Sequence, residues 1–378
     1  MKYLRWLLFP FSLLYGLVVM IRNWCYDAGF FKSYKFSKPV ISIGNLEVGG
    51  AGKSPMTEYL IRLLKDDYKI ATLSRGYGRK TKGFLIAGIP NQEQRIKSGD
   101  LNEGFSPGVS ASNCQPPTAN CLGDEPAQFK QKFPDITVAV CEDRVFGLNQ
   151  LMPGHDLVLM DDAYQHRPVE PGLSILLFDY NRIFEPHLLL PAGNMREPMS
   201  GRWRAQVIIV SKCPQGLAVA EQERIAAKVP PLPYQQLYFT SIAYQGLHDM
   251  DGLATDLVID NDYTVFLLTG IANANPLVQH IRGFTGSIIH HNYPDHHPFT
   301  LKNIVKLADE FKACASEKKL FITTEKDAQR LEEFRNELQQ LPVYVIPIRV
   351  EFLNDSQQQF NGLIFDYVRA HSTHHSIH

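Results

Sequence analysis

Lys53 and Ser54 close a glycine-rich run, Gly49-Gly50-Ala51-Gly52, that follows the apolar stretch Val40–Ile43 and Gly44. A strand that ends in such a run and leads into a helix builds a phosphate cradle. Its backbone N–H groups converge on an anion, the helix start adds the positive end of its dipole, and glycine lets the backbone come close. In that geometry Lys53 reaches the β- and γ-phosphates of a nucleotide, and the Ser54 hydroxyl ligates Mg²⁺. The spacing departs from the usual P-loop, whose first glycine falls where this chain has Glu47. The alternative is a glycine-rich turn between strand and helix that binds nothing.

Further groups suited to chemistry sit at other element ends. The run Leu157–Met160 ends in Asp161 and Asp162, and a strand beside a P-loop delivers a carboxylate to Mg²⁺ at this place. Mg²⁺ takes hard oxygen ligands, so a carboxylate, the Ser54 hydroxyl, phosphate oxygens and water suffice; Asp as a turn residue is the competing explanation. Gln165 and His166 follow on the same rim. Gly123-Asp124-Glu125-Pro126 has the form of a helix cap, which is compatible with a catalytic carboxylate. The cluster Asn292–Pro298 holds Asp295, His296 and His297, and histidine exchanges protons near neutral pH. Arg75, Arg144 and Arg196 stand in segments suited to an anionic second substrate or to transition-state charge; a solvated basic face is the plainer reading.

The elements that must position these groups alternate. Short β-branched runs at Val40–Ile43, Ile70–Leu73, Thr137–Val140, Leu157–Met160, Ile175–Phe178 and Val207–Val210 alternate with helical stretches, which predicts a parallel sheet wrapped by helices. A second set follows: strands at Val265–Thr269, Ile288–His290, Lys319–Thr323 and Val343–Ile348, with helices from Asn275 and over Glu325–Leu338. Residues 88–122, rich in Asn, Ser, Gly and Pro, read as a long surface excursion or lid. The 378 residues carry a formal charge of −1, so no global field draws a nucleic acid. Six cysteines without a C-x-x-C pair read as free thiols, and His371–His378 as a frayed tail.

Trp6–Ile21 is an uncharged run of sixteen residues between Arg5 and Arg22. As a helix it covers about 24 Å, short of the roughly 30 Å hydrocarbon core, and Pro10 weakens a straight span. Tyr3, Trp6, Trp24 and Tyr26 flank it as a headgroup belt would. The run therefore predicts a monotopic anchor in one leaflet, with a buried core helix as the alternative.

Taken together, Ile43–Pro55, Leu73-Ser-Arg-Gly-Tyr77, Gly123–Pro126, Asp161-Asp-Ala-Tyr-Gln-His166, Leu190-Pro-Ala-Gly-Asn-Met-Arg-Glu-Pro198, Asp295-His296 and Thr323-Thr-Glu-Lys-Asp-Ala328 resemble the bacterial tetraacyldisaccharide 4′-kinase family, the lipid A 4′-kinases. The blocks run in the family's order over nearly the whole chain. Ala163 stands where the family often has glycine, and Asn194-Met195 replace its usual Pro-Leu. The resemblance implies transfer of the ATP γ-phosphate to the 4′-hydroxyl of tetraacyldisaccharide 1-phosphate, with ATP and Mg²⁺, at the cytosolic face of the bacterial inner membrane. It makes Gly49, Gly50, Ala51, Gly52, Lys53 and Ser54 the nucleotide site, and Ser54 with Asp161 or Asp162 the magnesium site, supported by Glu125. It makes Asp124 the base for the 4′-hydroxyl, assisted by His296. Asn45, Arg75, Tyr77, Arg144, Gln165, His166 and Arg196 become the substrate side.

The expected architecture is an α/β fold: a P-loop NTPase-like parallel sheet flanked by helices, a second smaller α/β lobe and an N-terminal membrane-associated helix. The expected divisions are an anchor over 1–30, a kinase core over 31–229, a β-rich connection over 230–263 and a C-terminal lobe over 264–378. Because Asp124 and His296 come from separate lobes, closure is expected to assemble the site. A membrane-associated P-loop ATPase acting as a switch or scaffold is the rival function. Its signature lysine would fall at Val48, and the guanine-reading Asn-Lys pair of a GTPase is absent from the chain.

Overall fold

The structure, a computed structural model, describes residues 2–88 and 119–372. Helices α1 (Lys2–Asp27), α2 (Lys53–Leu64), α3 (Asp124–Lys132), α4 (Arg144–Leu151) and α5 (Val219–Lys228) interleave with strands β1 (Val40–Asn45), β2 (Ile70–Ser74), β3 (Leu85–Ile86), β4 (Thr137–Val140), β5 (Leu157–Asp161), β6 (Leu173–Asp179), β7 (Val207–Ser211) and β8 (Gln236–Tyr244). The chain continues through β9 (Thr264–Thr269), α6 (Asn275–Arg282), β10 (Ser287–Asn292), α7 (Leu301–Ala313), β11 (Lys319–Thr324), α8 (Glu325–Leu331), β12 (Val343–Ile346), β13 (Ile348–Phe352) and α9 (Gln357–Ser372). Most of the 88–122 excursion, residues 89–118, and residues 373–378 of the tail lie outside the described residues.

Nine strands form the first sheet in the order β13-β8-β7-β6-β1-β5-β2-β4-β3, parallel except for its two edge strands. Strands buried on both faces must be apolar throughout, and β1, β5 and β6 are wholly buried. On one face Met56, Leu60, Ile61 and Leu64 of α2 pack with Ile41, Ile43 and Leu159. On the other, Leu148 and Leu151 of α4 pack with Leu73, Val158 and Met160. The second sheet, β10-β9-β11-β12, is parallel throughout. It is covered by α7 on one side and α6 on the other.

The expected division at 230 and 264 requires correction. Strand β8 belongs to the first sheet, paired with β7. The chain also returns there: Pro347 interrupts the expected strand Val343–Ile348, and β13 pairs antiparallel with β8. Phe360, Ile364 and Val368 of α9 then enter the core under β1 and α2. The second sheet is thus an insertion between two strands of the first. Strand periodicity reports an element's type but not its pairing partner, so the sequence left this open.

Helix α1 continues through Pro10, which stands more than two turns in from Lys2 and lacks the N–H for one bond to the preceding turn. The segment Leu8–Asp27 is long and apolar enough to cross a membrane. One side docks on the 188–197 segment: the Ala192 N–H donates to Ser12 Oγ at 2.9 Å, the Tyr15 hydroxyl to the Arg196 carbonyl at 2.9 Å, and a Cβ at Gly16 would stand 2.6 Å from Leu189 Cδ1. Its other side exposes Phe11, Leu13, Leu14, Leu17, Val18, Met20, Ile21 and Trp24, each by half or more. The buried-core alternative is excluded for these positions. The side chains of Tyr3 and Trp6 lie outside the described residues. Cys25, Cys141, Cys213 and Cys314 are free thiols. Cys121 is disulfide-bonded, which corrects the reading of six free thiols, because spacing along the chain does not report proximity in space.

Candidate active site

β1 lies between β5 and β6, with Ile43 level with Asp161 on one side and Ile175 on the other. The loop leaving β1 therefore emerges at the centre of the sheet's C-terminal edge, where open α/β sheets bind ligands. Gly44 admits the close passage of Tyr164, whose Cβ and N would lie 2.6 and 3.0 Å from an added Cβ. Gly49 (φ +113°) and Gly52 (φ +78°) take left-handed backbone. Gly52 caps α2 without any side chain, and the first turn carries no acid, so the leading N–H groups of α2 stay available to an anion.

Lys53 Nζ lies 3.3 Å from Asn45 Oδ1, 3.4 Å from the Gly49 carbonyl and 3.6 Å from Asp162 Oδ1. Asn45 is buried at the end of β1 and its amide also donates to the Gly49 carbonyl, at 3.4 Å. Gln165 Nε2 donates to the Asn45 carbonyl at 2.6 Å. Both residues, expected on the substrate side, hydrogen-bond within the cradle.

The two acids at the end of β5 diverge. Asp161 is buried and accepts from Thr57 Oγ1 of α2 at 2.9 Å. Burial, with the neighbouring Asp162 charge, pushes its carboxyl up to about 7. Asp162 adopts left-handed backbone (φ +46°) and is held by Arg196 Nη1 at 3.1 and 3.2 Å. Burial opposes its ionisation, but Lys53 and Arg196 outweigh it and lower the carboxyl. The adjacent carboxylates of Asp161 and Asp162, with the Thr57 hydroxyl of α2 on Asp161, offer hard oxygens of the kind Mg²⁺ takes, and a divalent cation there would hold Asp161 ionised. Arg196 is committed to Asp162 and anchored in turn through its neighbour: Glu197 receives Arg22 at 3.3 Å and Asn23 at 3.1 Å from α1, and Arg204 at 2.7 Å.

The second half of the site is brought by α3. Gly123 (φ +93°) packs on the turn after β2, where an added Cβ would meet the Tyr77 carbonyl at 2.7 Å. Asp124 Oδ2 receives Arg330 Nε at 2.9 Å, Arg330 Nη2 at 2.5 Å and His296 Nδ1 at 3.1 Å. Burial opposes the charge on Asp124, but the hydrogen bonds of His296 and Arg330 and the charges of Arg330 and Lys326 hold it at about 2. His296 (φ +59°) has Lys326 Nζ at 3.1 Å from its Nε2. Its Nδ1 faces two groups at 3.1 Å, the Asp124 carboxylate, which accepts, and Arg330 Nη2, which donates, so the ring sits inside the Asp124–Arg330 pair. Lys326 also pairs with Glu125 at 3.1 Å, and the Glu125 charge is felt by Asp161. The Asp124–His296 contact that closure was expected to make is present in the structure.

Arg144 is buried with its Nε unpartnered, and burial together with Arg75 lowers it to about 10. His166 also has an unpartnered Nε2; burial, then Arg144 and Arg75, press it down to about 4, so it is neutral at pH 7. Arg75 and Tyr77 are exposed, Tyr77 meeting His296 edge-on with ring centroids 5.9 Å apart. Arg75 and Arg144 thus make one electropositive wall beside Asp162, with neutral His166 next to Arg144.

Sequence reasoning missed Arg330 and Lys326 as site residues, although Lys326 stands inside the Thr323–Ala328 block and Arg330 two residues beyond it. It also missed a buried ionic cluster behind the site. Lys132 of α3 pairs at 2.5 Å with both Glu58 of α2 and Glu325 of α8, and Glu58 also receives Arg62 at 3.1 Å and Gln128 at 2.7 Å. These three helices carry Ser54, Asp124 and Arg330, so the cluster ties the cradle to the Asp124–Arg330 contact. The sequence offered no signal beyond charged residues at helical spacing.

The tetraacyldisaccharide-1-P 4′-kinase family model matches residues 4–368. A tetraacyldisaccharide 4′-kinase of Phocaeicola vulgatus is 42% identical, over 97% of this chain and 96% of its own. That of Bacteroides thetaiotaomicron is 40% identical, over 99% and 95%. A crystal structure of LpxK from Aquifex aeolicus in complex with ATP superimposes with a TM-score of 0.70 at 27% identity, covering 97% of this chain and 99% of that one.

Proposed function

This chain belongs to the tetraacyldisaccharide-1-P 4′-kinase family and is an ATP-dependent lipid kinase of lipid A biosynthesis; from that premise we propose how its residues divide the transfer of the γ-phosphate to the lipid's 4′-hydroxyl. The N–H groups of Gly49–Lys53 hold the phosphates, and Lys53 turns from Asn45 and Asp162 towards the γ-phosphate. Ser54, Asp161 and Asp162 would hold Mg²⁺, with Glu125 supporting them, and the metal would supply neutralisation of the phosphate charge.

Asp124 presents its other oxygen, Oδ1, to the acceptor hydroxyl. All its contacts among the described residues fall on Oδ2. A carboxylate held near pKa 2 is a weak base, so its work is to orient the hydroxyl, which is most of what phosphoryl transfer asks of the protein. His296 and Arg330 fix that orientation. The wall of Arg75 and Arg144 suits the phosphate already on the tetraacyldisaccharide 1-phosphate. The apolar side of α1 rests in the lipid surface that holds the substrate, at the cytoplasmic face of the inner membrane where ATP is available.

The observation that carries the reading is the meeting of Asp124, from the first sheet's side, with His296 and Arg330, both from the second's, beside the Lys53–Asp162 cradle. The test is transfer of label from γ-labelled ATP to detergent-solubilised tetraacyldisaccharide 1-phosphate. Mg²⁺-dependent label in the lipid, abolished by EDTA, is expected. Lys53→Ala and Asp124→Ala are each expected to lower turnover by about 10²–10⁴-fold. Lipid phosphorylation unchanged in Asp124→Ala sinks these roles and leaves a nucleotide-dependent switch or scaffold.

A further inference from the structure

The roles above give the nucleotide base no partner, and the geometry restricts where it lies. Asp124 and Glu125 stand over the turn after β2, and Asp162 at the end of β5, so the acceptor side of the cradle is the β5–β2 side of β1. A triphosphate laid through the cradle with its γ-phosphate on that side carries its nucleoside the other way, over the ends of β6 and β7.

A braced corner stands there. Ser211 Oγ lies 2.8 Å from the Ala51 carbonyl and 3.1 Å from the Phe178 carbonyl, its one proton shared between them. Lys212 Nζ donates to the Gly50 carbonyl and to Asp179 Oδ2, the latter at 2.8 Å. Lys212 also holds left-handed backbone, φ +60°. Among the described residues the other non-glycine positions of this kind are Asp162 and His296, both in the site, and the consecutive pair Asn354–Asp355 in the turn before α9. Such a conformation persists only where the surroundings enforce it, and it concentrates at functional sites.

With its backbone fixed at one end and Nζ at the other, the Lys212 stem is held along the rim of the cradle, and the side chain remains 32% exposed. Lysine stems cover apolar faces while their charged head is satisfied elsewhere. No carboxylate occurs in Cys213-Pro-Gln-Gly-Leu217 to receive the paired N–H donors of guanine. We propose that the methylene stem of Lys212 is the platform on which the base of the nucleotide rests, its Nζ retained by Gly50 and Asp179 rather than given to phosphate.

The inference rests on the ATP-kinase reading, and the experiment separates the two. Binding of ATP and of inorganic tripolyphosphate, each with Mg²⁺, is measured by calorimetry on the full chain, its Lys212→Ala and its Lys212→Met, with thermal melts confirming the fold. Lys212→Ala is expected to weaken ATP roughly tenfold, from the lost burial of a few methylenes, and to leave tripolyphosphate within about twofold. Lys212→Met, which keeps an unbranched apolar stem, is expected to restore most of the ATP affinity. Equal weakening of tripolyphosphate and ATP overturns the platform and makes Lys212 a phosphate ligand or a loop brace. ATP binding unchanged in Lys212→Ala, or as weak in Lys212→Met as in Lys212→Ala, overturns it too. A wild-type chain that binds neither ligand defeats the kinase reading itself.

Discussion

Replacing Arg330 by Gln removes the strongest link between the two sheets at the site. Arg330 gives Asp124 two hydrogen bonds, at 2.9 and 2.5 Å, and is itself nearly buried. Asp124 is held at about 2 instead of 3.8, a difference worth about 2 kcal/mol of native-state stability at neutral pH. The sign follows from the direction. A carboxyl depressed on folding contributes its full amount above the unfolded value near 4, and the contribution disappears as pH falls through about 2. Part of the depression belongs to His296 and Lys326, so the share of Arg330 is about 1–2 kcal/mol. Arg330 also holds Asp327 at 2.9 Å and the Gly270 carbonyl at 3.0 Å, and a single substitution therefore overstates the pair. A double-mutant cycle with Asp124→Asn cancels those terms. Measured by urea unfolding at pH 7, the coupling energy is expected at about 1–2 kcal/mol, shrinking steeply between pH 4 and pH 2. A coupling below about 0.5 kcal/mol at pH 7, or one that persists at pH 2, refutes the claim that Arg330 holds Asp124 ionised. Turnover of Arg330→Gln is expected to fall while ATP affinity stays, since the cradle is untouched.

Two further outcomes follow from the same geometry. Lys132→Met leaves Glu58 and Glu325 facing one another without their shared cation, and is expected to cost about 3–5 kcal/mol in urea unfolding at pH 7; the loss is expected to ease at pH 5, because burial and the Glu58 charge already raise Glu325, and a cost under about 1 kcal/mol contradicts the latch. Replacing Leu13, Leu14, Leu17 and Val18 together by Ser is expected to move the protein from floating vesicles to the soluble fraction, at about 1.5–3 kcal/mol of lost burial per leucine, with the melting temperature unchanged since these positions are exposed; continued flotation would place the membrane contact elsewhere.

The sequence by itself determined what depends on neighbours in the chain. Glycine at 49 and 52, where the backbone turns left-handed, the apolar run before them and the helix beginning at Lys53 specify a phosphate cradle from local conformational preference alone. Strand and helix types were legible for the same reason, from β-branched runs and helical spacing. Tertiary structure decided everything that depends on which element lies beside which. It joined β13 and α9 to the first sheet, because burial of Phe360, Ile364 and Val368 is a long-range demand with no local mark. It placed Asn45 and Gln165 in hydrogen bonds within the cradle and gave Arg196 to Asp162. Arg330 remained invisible in the sequence although its own helix was legible: a charged residue at helical spacing is an exposed face by default, and only the approach of Asp124, 206 residues away, makes it part of a site.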